Sequence, residues 1–533
     1  MRTDLQILQA ALADKELDKH NFEEETKYNA KFIRIYRISL PPEKFKGLPA
    51  KWLFGIFSDN EPNEINPQLI FNEARDIINE SISKEKHLPI VLISDDRRIT
   101  FSDKLTFKEN PVFFLYKDEL PGKDNFPKDA MDTPVMSAAR MKFTESESLS
   151  YLSPYSPNIP VSDWQFFGRK REIKDILKNR SNYFVLGSRK IGKTSLLQEV
   201  KRQLEARNEK VYWIVCQDKE NVRGIIDDII NKLSEKEYYR ALLKDKNLEI
   251  NFIPKILKRL KGQNKNIVII FDELGNVINK IGPDSWKFIG ALREVSHNDN
   301  IRLIISAFQE VIIRQTENPE GPFVNFGTTM QLHAFKKDEI EELLVAPLSF
   351  WGKIKDKKIF VDNVRKHFGF HPLILSFVGQ RLVELIVEAE KKKEKKYVED
   401  FIRQLFYDEL DIFGPAVDDI FTKNANYIDR FVFLSLCQKF DKLKRDITET
   451  NITQDILEEI LDDVGIQSNY DKRMLLLDRL SLRGLLGRDA NNRSIYKIET
   501  PIVYHYLKKF DPPDVLLKNY LKEIRKQNNE LIY

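Results

Sequence analysis

The sequence predicts a multidomain α/β protein, and three observations carry that prediction. The chain has 533 residues, more than one hydrophobic core ordinarily serves, so three or four domains are expected. From Trp164 to about residue 310, strand-like apolar runs alternate with helical patterns, as in a parallel sheet with crossover helices. Within that block, residues 187–194 satisfy G-x-x-x-x-G-K-[ST] in full, with the strand run "YFVL" entering and the amphipathic "SLLQEVKRQLEA" leaving. The expected order is an N-terminal α/β domain, a P-loop NTPase core, a largely helical region after residue 332 and a C-terminal winged helix.

Composition narrows the class. With 42% hydrophobic and 32% charged residues, the chain reads as a soluble globular protein. It has no run of 18 consecutive apolar residues, and its first residues carry acids inside an amphipathic pattern, so no membrane span or signal peptide is expected and a cytoplasmic location is. Cys216 and Cys437 lie within apolar runs, as buried free thiols would in a reducing compartment, and their number excludes a disulfide scaffold or a zinc site. The net charge of +4 is too small to imply nucleic-acid binding by the chain as a whole.

Residues 1–125 read as the mixed α/β domain. Strand-length runs recur in "KFIRIYRI", "KWLFGIF", "LPIVLIS" and "PVFFLY", and "NPQLIFNEARDIINESI" keeps helical spacing. Asp95 and Asp96 follow the third run; a strand-ending turn explains them better than a nuclease site, because no convincing E-x-K follows. Residues 126–160, rich in Pro, Ser and Asp without a period, read as a linker.

In the core, Gly187, Ser188, Arg189, Lys190, Ile191 and Gly192 supply a loop whose N–H groups converge on a phosphate at a helix N-terminus, with Ser195 just beyond it. Lys193 reaches the β- and γ-phosphates, and the Thr194 hydroxyl is a ligand for Mg²⁺. The run "NIVIIFDE" ends a buried strand with Asp272, placed to orient the same metal, and Glu273, placed to polarise an attacking water. The cofactors expected are therefore ATP or ADP with Mg²⁺. In "IRLIISAF", Ser306 is either a sensor of the γ-phosphate or a strand cap, and the sequence weighs both equally.

These motifs resemble the STAND branch of AAA-like P-loop ATPases, above all its archaeal-type group related to replication initiators, over roughly residues 164–510. The match begins with "FFGRKREIKDIL" and continues through the phosphate loop, "FDE" and "IISAF" to "LHAFKKDEIEELL" and "HFGFHPLILSFVGQRL". The resemblance implies that Phe167, Gly168 and Arg169 lie near the base and ribose. It makes 332–412 a helical lid in which Pro372 packs on the adenine and His371 approaches the phosphates or caps a helix. It gives no secure arginine finger: Phe308 stands where some relatives carry arginine, with Arg302 and Arg314 the nearby candidates. Hydrolysis is therefore expected to be slow or partner-activated.

Residues 413–510 read as the winged helix and 511–533 as a helical tail. "NYIDRFVFLSLCQKF", "TQDILEEILDDVG" and "YDKRMLLLDRLSLRGLL" are amphipathic helices, and "LLGRDANNRSIYKIET" is a hairpin. Lys472, Arg473, Arg479 and Arg483 fall on the third helix and Arg488 and Arg493 on the hairpin, where a DNA-binding winged helix carries its contacts. The resemblance equally implies an internal arm that closes on the nucleotide. The reading favoured is an ATPase switch with oligomer-forming or protein partners and an N-terminal effector or partner-binding domain, set in prokaryotic defence or stress signalling. The alternative is a DNA-binding, initiator- or transposition-like ATPase.

Overall fold

The computed structural model describes residues 4–12, 22–24, 33–40, 51–57, 89–94, 112–121, 133–136, 138, 153, 155–157, 159–161, 165–219, 221–231, 253–254, 257–258, 267–299, 301–352, 354–423, 425–489 and 492–526. They group into two compact units. One comprises Met1–Ser156, Ile340–Val361 and Ser376–Asp408; the other comprises Pro157–Glu339, Asp362–Leu375 and Glu409–Tyr533. The lid segment read from the sequence is thus divided between them.

In the first unit, helix α1 (Asp4–Ala11) accompanies a five-stranded sheet of β1 (Phe22–Glu24), β2 (Ile33–Ser39), β3 (Lys51–Phe57), β4 (Ile90–Ser94) and β5 (Val112–Tyr116), in that order. The first two pairings are antiparallel and the last two parallel. All four apolar runs are strands. The proposed helix around Ile70 and the Asp95–Asp96 pair lie outside the described residues. Val135, Met136 and Tyr155, in the stretch read as linker, are buried, and the Tyr155 hydroxyl donates to Leu343 O at 2.9 Å. A linker residue is here a packing residue.

In the second unit the sheet is parallel throughout, in the order β10 (Thr328–Gln331), β6 (Tyr183–Leu186), β9 (Ile301–Ala307), β8 (Ile267–Asp272), β7 (Lys210–Val215). Its strands are continuous apolar runs because both faces are covered. On one face Val185, Val268, Ile270 and Ile304 pack against α2 (Lys170–Lys178) and α3 (Lys193–Ala206) through Ile176, Leu196 and Val200. On the other, Phe184, Ile269, Phe271 and Ile305 meet α4 (Val222–Asn231), α5 (Asp284–Asp299) and α6 (Gln309–Glu317), with Phe326 4.5 Å from the Phe184 ring. Each fully buried Ile or Phe contributes about 1.5–3 kcal/mol. Strand β6, flanked in the sheet by β9 and β10, has its C-terminal end at Leu186. The phosphate loop occupies that end.

The rest of this unit is mostly helical: α7 (Lys337–Ile340), α8 (Lys357–His367) and α9 (Pro372–Lys391), the last two reaching into the first unit, then α10 (Tyr427–Lys442), α11 (Gln454–Asp462) and α12 (Tyr470–Leu482). A hairpin of β11 (Leu486–Arg488) and β12 (Tyr496–Ile498) follows, then α13 (Pro501–Phe510) and α14 (Pro513–Lys526). Asn426 and Asn469 cap α10 and α12, each accepting from a backbone N–H three residues on. Cys216 and Cys437 are buried free thiols.

Candidate nucleotide site

The loop owes its shape to two glycines. A Cβ on Gly187 would lie 2.7 Å from the Ile191 side chain and 3.2 Å from Leu332 O, so the turn is too tight for any side chain there. Gly192 has φ 98° and opens α3 at Lys193, leaving the helix N-terminus exposed to an anion. Lys193 Nζ folds back on the loop and donates to Gly187 O at 2.7 Å and Ser188 O at 2.9 Å. Burial pulls its pKa down to about 8, against the opposing pull of Glu273, Asp272 and Glu310. Ser188 Oγ is buried with no hydrogen-bond partner among the described residues, Lys190 has φ 62°, Ile191 is buried and Arg189 is exposed. Ser195 faces away from this task, since its Oγ accepts from Val161 N at 3.1 Å.

Strand β8 delivers the acids. Asp272 is buried, and its carboxylate accepts from Thr194 Oγ1 at 3.0 Å and from Ser306 Oγ at 2.7 Å. Ser306, fully buried one strand away, also accepts from Glu273 N at 2.7 Å. That contact holds Glu273 at φ 58°, a strained backbone for a non-glycine residue and a common mark of a working site. Burial and neighbouring Asp272 raise the Glu273 pKa, although Lys193 and Arg189 oppose them. Ser306 is therefore placed as a positioning residue for both acids. Thr194 Oγ1 and the Asp272 carboxylate are adjacent hard oxygen donors of the kind that would hold a hydrated Mg²⁺. Among the described residues no cluster of three His, Cys, Asp or Glu side chains could hold a metal alone.

The opening motif and the start of the lid lock together. Gly168 has φ 71°, and a Cβ there would lie 3.0 Å from Glu339 Oε1 and 3.1 Å from the Phe335 ring. Glu339 accepts from Arg169 N at 2.6 Å and Lys336 N at 2.8 Å. The Arg169 guanidinium is buried over Phe335, 4.7 Å from its centroid, and donates to Ile191 O and His333 O. Phe167 is buried beside it. His371 immediately precedes α9 and its Nδ1 accepts from Leu373 N at 3.3 Å, as a capping residue does. Its Nε2 is buried without a hydrogen-bond partner among the described residues, and burial together with Arg169 holds its pKa at about 3, so the ring is neutral. Pro372 is the first residue of α9 and half-buried.

The C-terminal end of α12 closes onto this constellation. Ser188 N donates to Leu482 O at 3.2 Å. The Arg483 guanidinium lies 5.4 Å from the Phe308 ring centroid, just after the strand that carries Ser306. Gly484 has φ 73°, and a Cβ there would come within 2.8 Å of the His371 ring and 3.6 Å of Ile191. Arg483 and Arg479 are held by Asp429 at 2.8 and 2.7 Å, with the acid fully buried. Burial lowers the Arg483 pKa while Asp429 opposes the shift.

Two expectations need correction. Arg302 is no arginine finger: it starts β9 and donates to Ser181 O and Ile176 O over the Tyr183 ring, at the end of the strand remote from the loop. Arg479 and Arg483 are not an outward DNA-reading face, because both turn inward to Asp429, and Arg473 is buried beside Glu458 at 2.9 Å. Sequence reasoning also missed Glu310, whose carboxylate occupies the space a Gly275 Cβ would need and accepts from Phe308 N at 3.0 Å. The only available signal was an acid three residues beyond "ISA".

Residues 166–347, about a third of the chain, match the family described as an ATPase domain predominantly from Archaea. This segment is an ATPase domain. The ATPase domain so defined contains the phosphate loop, both β8 acids, Ser306 and Glu339. No curated protein matches the chain. Solved structures similar to it include the Walker-type ATPase of Pyrococcus abyssi, at 13% identity over 67% of this chain and 99% of that one with a TM-score of 0.45. The ORC2 protein of Aeropyrum pernix, solved with ADPNP and ADP, has 14% identity over 70% and 98% with a TM-score of 0.44. Likeness of this degree carries no argument about activity. No described helix is long and apolar enough to cross a membrane.

Proposed function

We propose that the chain is a STAND-type molecular switch: an ATPase of slow turnover whose nucleotide state sets whether its C-terminal module, read as a winged helix, stays docked on the phosphate loop. One observation carries this reading, the hydrogen bond from Ser188 N to Leu482 O, flanked by Arg483 on Phe308 and Gly484 on His371. Any rearrangement of the loop on binding or hydrolysis is felt directly at the end of α12, and a ligand that favours one arrangement shifts the population.

The residues divide the chemistry of ATP hydrolysis among them. Gly187 to Thr194 present the N–H cradle, and Lys193, now on Gly187 O and Ser188 O, exchanges those carbonyls for β- and γ-phosphate oxygens. Thr194 and Asp272 would hold Mg²⁺, which neutralises charge between the phosphates. Glu273, with its raised pKa and its N–H fixed by Ser306, orients and deprotonates the attacking water. Phe167, Gly168, Arg169 and Pro372 are proposed for the base side, and the neutral His371 for the phosphate side. The DNA-binding alternative loses Arg479 and Arg483 as contacts and would have to rest on Lys472, Arg488 and Arg493.

The test is solution mass, by light scattering, of Glu273→Gln with ADP and with ATP and Mg²⁺. A defined oligomer with ATP alone is expected. The same mass with both nucleotides would overturn the assembly reading.

A further inference from the structure

A cavity of about 690 Å³ lies beside the docked turn, bounded by the end of β10, α6, α12 and the hairpin. No residue of the phosphate loop lines it, nor do Phe167, Gly168, Arg169, His371 or Pro372. Its walls are apolar, with Ile312, Phe335, Phe370, Leu475, Leu482 and Leu486 facing in. Its rim is basic. Arg365 and Arg488 are matched by Glu449 at 3.2 Å and Asp478 at 3.3 Å. Lys336 and Arg493 are exposed, and neither has an ion-pair partner among the described residues.

An apolar recess of this size with unmatched cations at its mouth has the composition of a small-molecule site. We propose that it binds a small organic anion: an aromatic or branched apolar body in the recess, with one phosphate or carboxylate held at the rim by Lys336 and Arg493. The rings of Phe335 and Phe370 suit a flat body, and Arg365 already lies 5.9 Å from the Phe370 centroid. Of the three acids on the wall, Asp478 faces Arg488 at 3.3 Å and Asp489 accepts from Asn492 N at 3.1 Å. Glu499 is pushed up to about 7 by burial, which outweighs Arg365 and Lys497, so near neutrality much of it carries no charge. Binding at this cavity is independent of the switch. Only its consequence, pressure on Leu482 and hence on Ser188, rests on the docking reading.

The probe is anilinonaphthalene sulfonate, an aromatic body with one anionic group, titrated by fluorescence into the nucleotide-free full chain. One saturable site is expected, retained in excess ATP and displaced by phenyl phosphate or by salicylate, whichever head group the rim prefers. Replacing Lys336 and Arg493 together with Ser should weaken binding roughly tenfold, as loss of a charge-assisted contact does. Ala334→Trp should fill the recess and abolish binding; if that variant misfolds by circular dichroism, the rim variant decides, since its positions are exposed. Displacement by ATP, or equal affinity in the rim variant, would overturn the proposal. Loss of ATP-dependent assembly with probe binding intact would sink the switch and leave this site standing.

Discussion

Two clusters of buried charge lie in the same compact unit and are built on opposite plans. Around Asp429 opposite charges meet directly: two arginines share one acid at 2.7–2.8 Å. Around Lys193 the pairing is incomplete. The lysine makes do with two carbonyls, Glu273 sits on a strained backbone, and Ser188 Oγ and His371 Nε2 are buried without hydrogen-bond partners among the described residues. The first arrangement pairs charge with charge; the second leaves polar groups that a bound phosphate would satisfy.

Substitution should therefore separate the clusters by what is lost. The largest effect is on turnover: Glu273→Gln should lower kcat roughly 10²–10⁴-fold while ATP binding persists, because it removes a proton acceptor and leaves the cradle intact. Normal turnover would remove Glu273 from the water-activating role. Asp429→Asn should cost about 3–5 kcal/mol, leaving two buried guanidinium groups uncompensated. Denaturant unfolding of the C-terminal module would report it, and an unchanged midpoint would mean that the triad is solvated. Lys193→Ala should weaken ATP roughly 10²-fold in a calorimetric titration with little change in melting temperature, the reverse of the Asp429 outcome. Gly484→Ala stands between the two. It combines a left-handed backbone with a 2.8 Å approach to His371, so a loss of about 1–3 kcal/mol is expected, accompanied by altered ATP affinity. A stability loss without any change in affinity would break the link between turn and loop.

The clusters also differ in how they are written into the chain. Gly187 to Thr194 are contiguous, and their spacing is imposed by a phosphate and a helix start, so one motif displays them. Asp272 and Glu273 follow because a buried parallel strand must end beside that loop. Asp429 and Arg483 are 54 residues apart and meet only through the packing of α10 on α12. In sequence, Arg483 is one more basic residue on a helix, indistinguishable from an outward DNA contact. Glu339 is intermediate: the pattern Leu332, Phe335, Glu339 was visible, but its purpose, gripping Arg169 N, appears only once Gly168 is seen to leave no room for a Cβ.

The smallest effect is one of pH, and it reads the incomplete cluster directly. Burial brings the Lys193 pKa from 10.5 to about 8 in the folded protein. Above pH 8 the lysine loses its charge unless a phosphate holds the proton, so ATP binding must take up a proton and affinity should fall by up to about tenfold per pH unit. Stability runs the other way. Between pH 8 and 10.5 the unfolded chain keeps this proton and the folded chain does not, so the lysine's contribution to stability rises with pH in that window. Weaker ATP binding above pH 8 without a matching loss of the fold is therefore the expected result. A flat affinity from pH 7 to 9.5 would show that Lys193 is not the group that meets the phosphates.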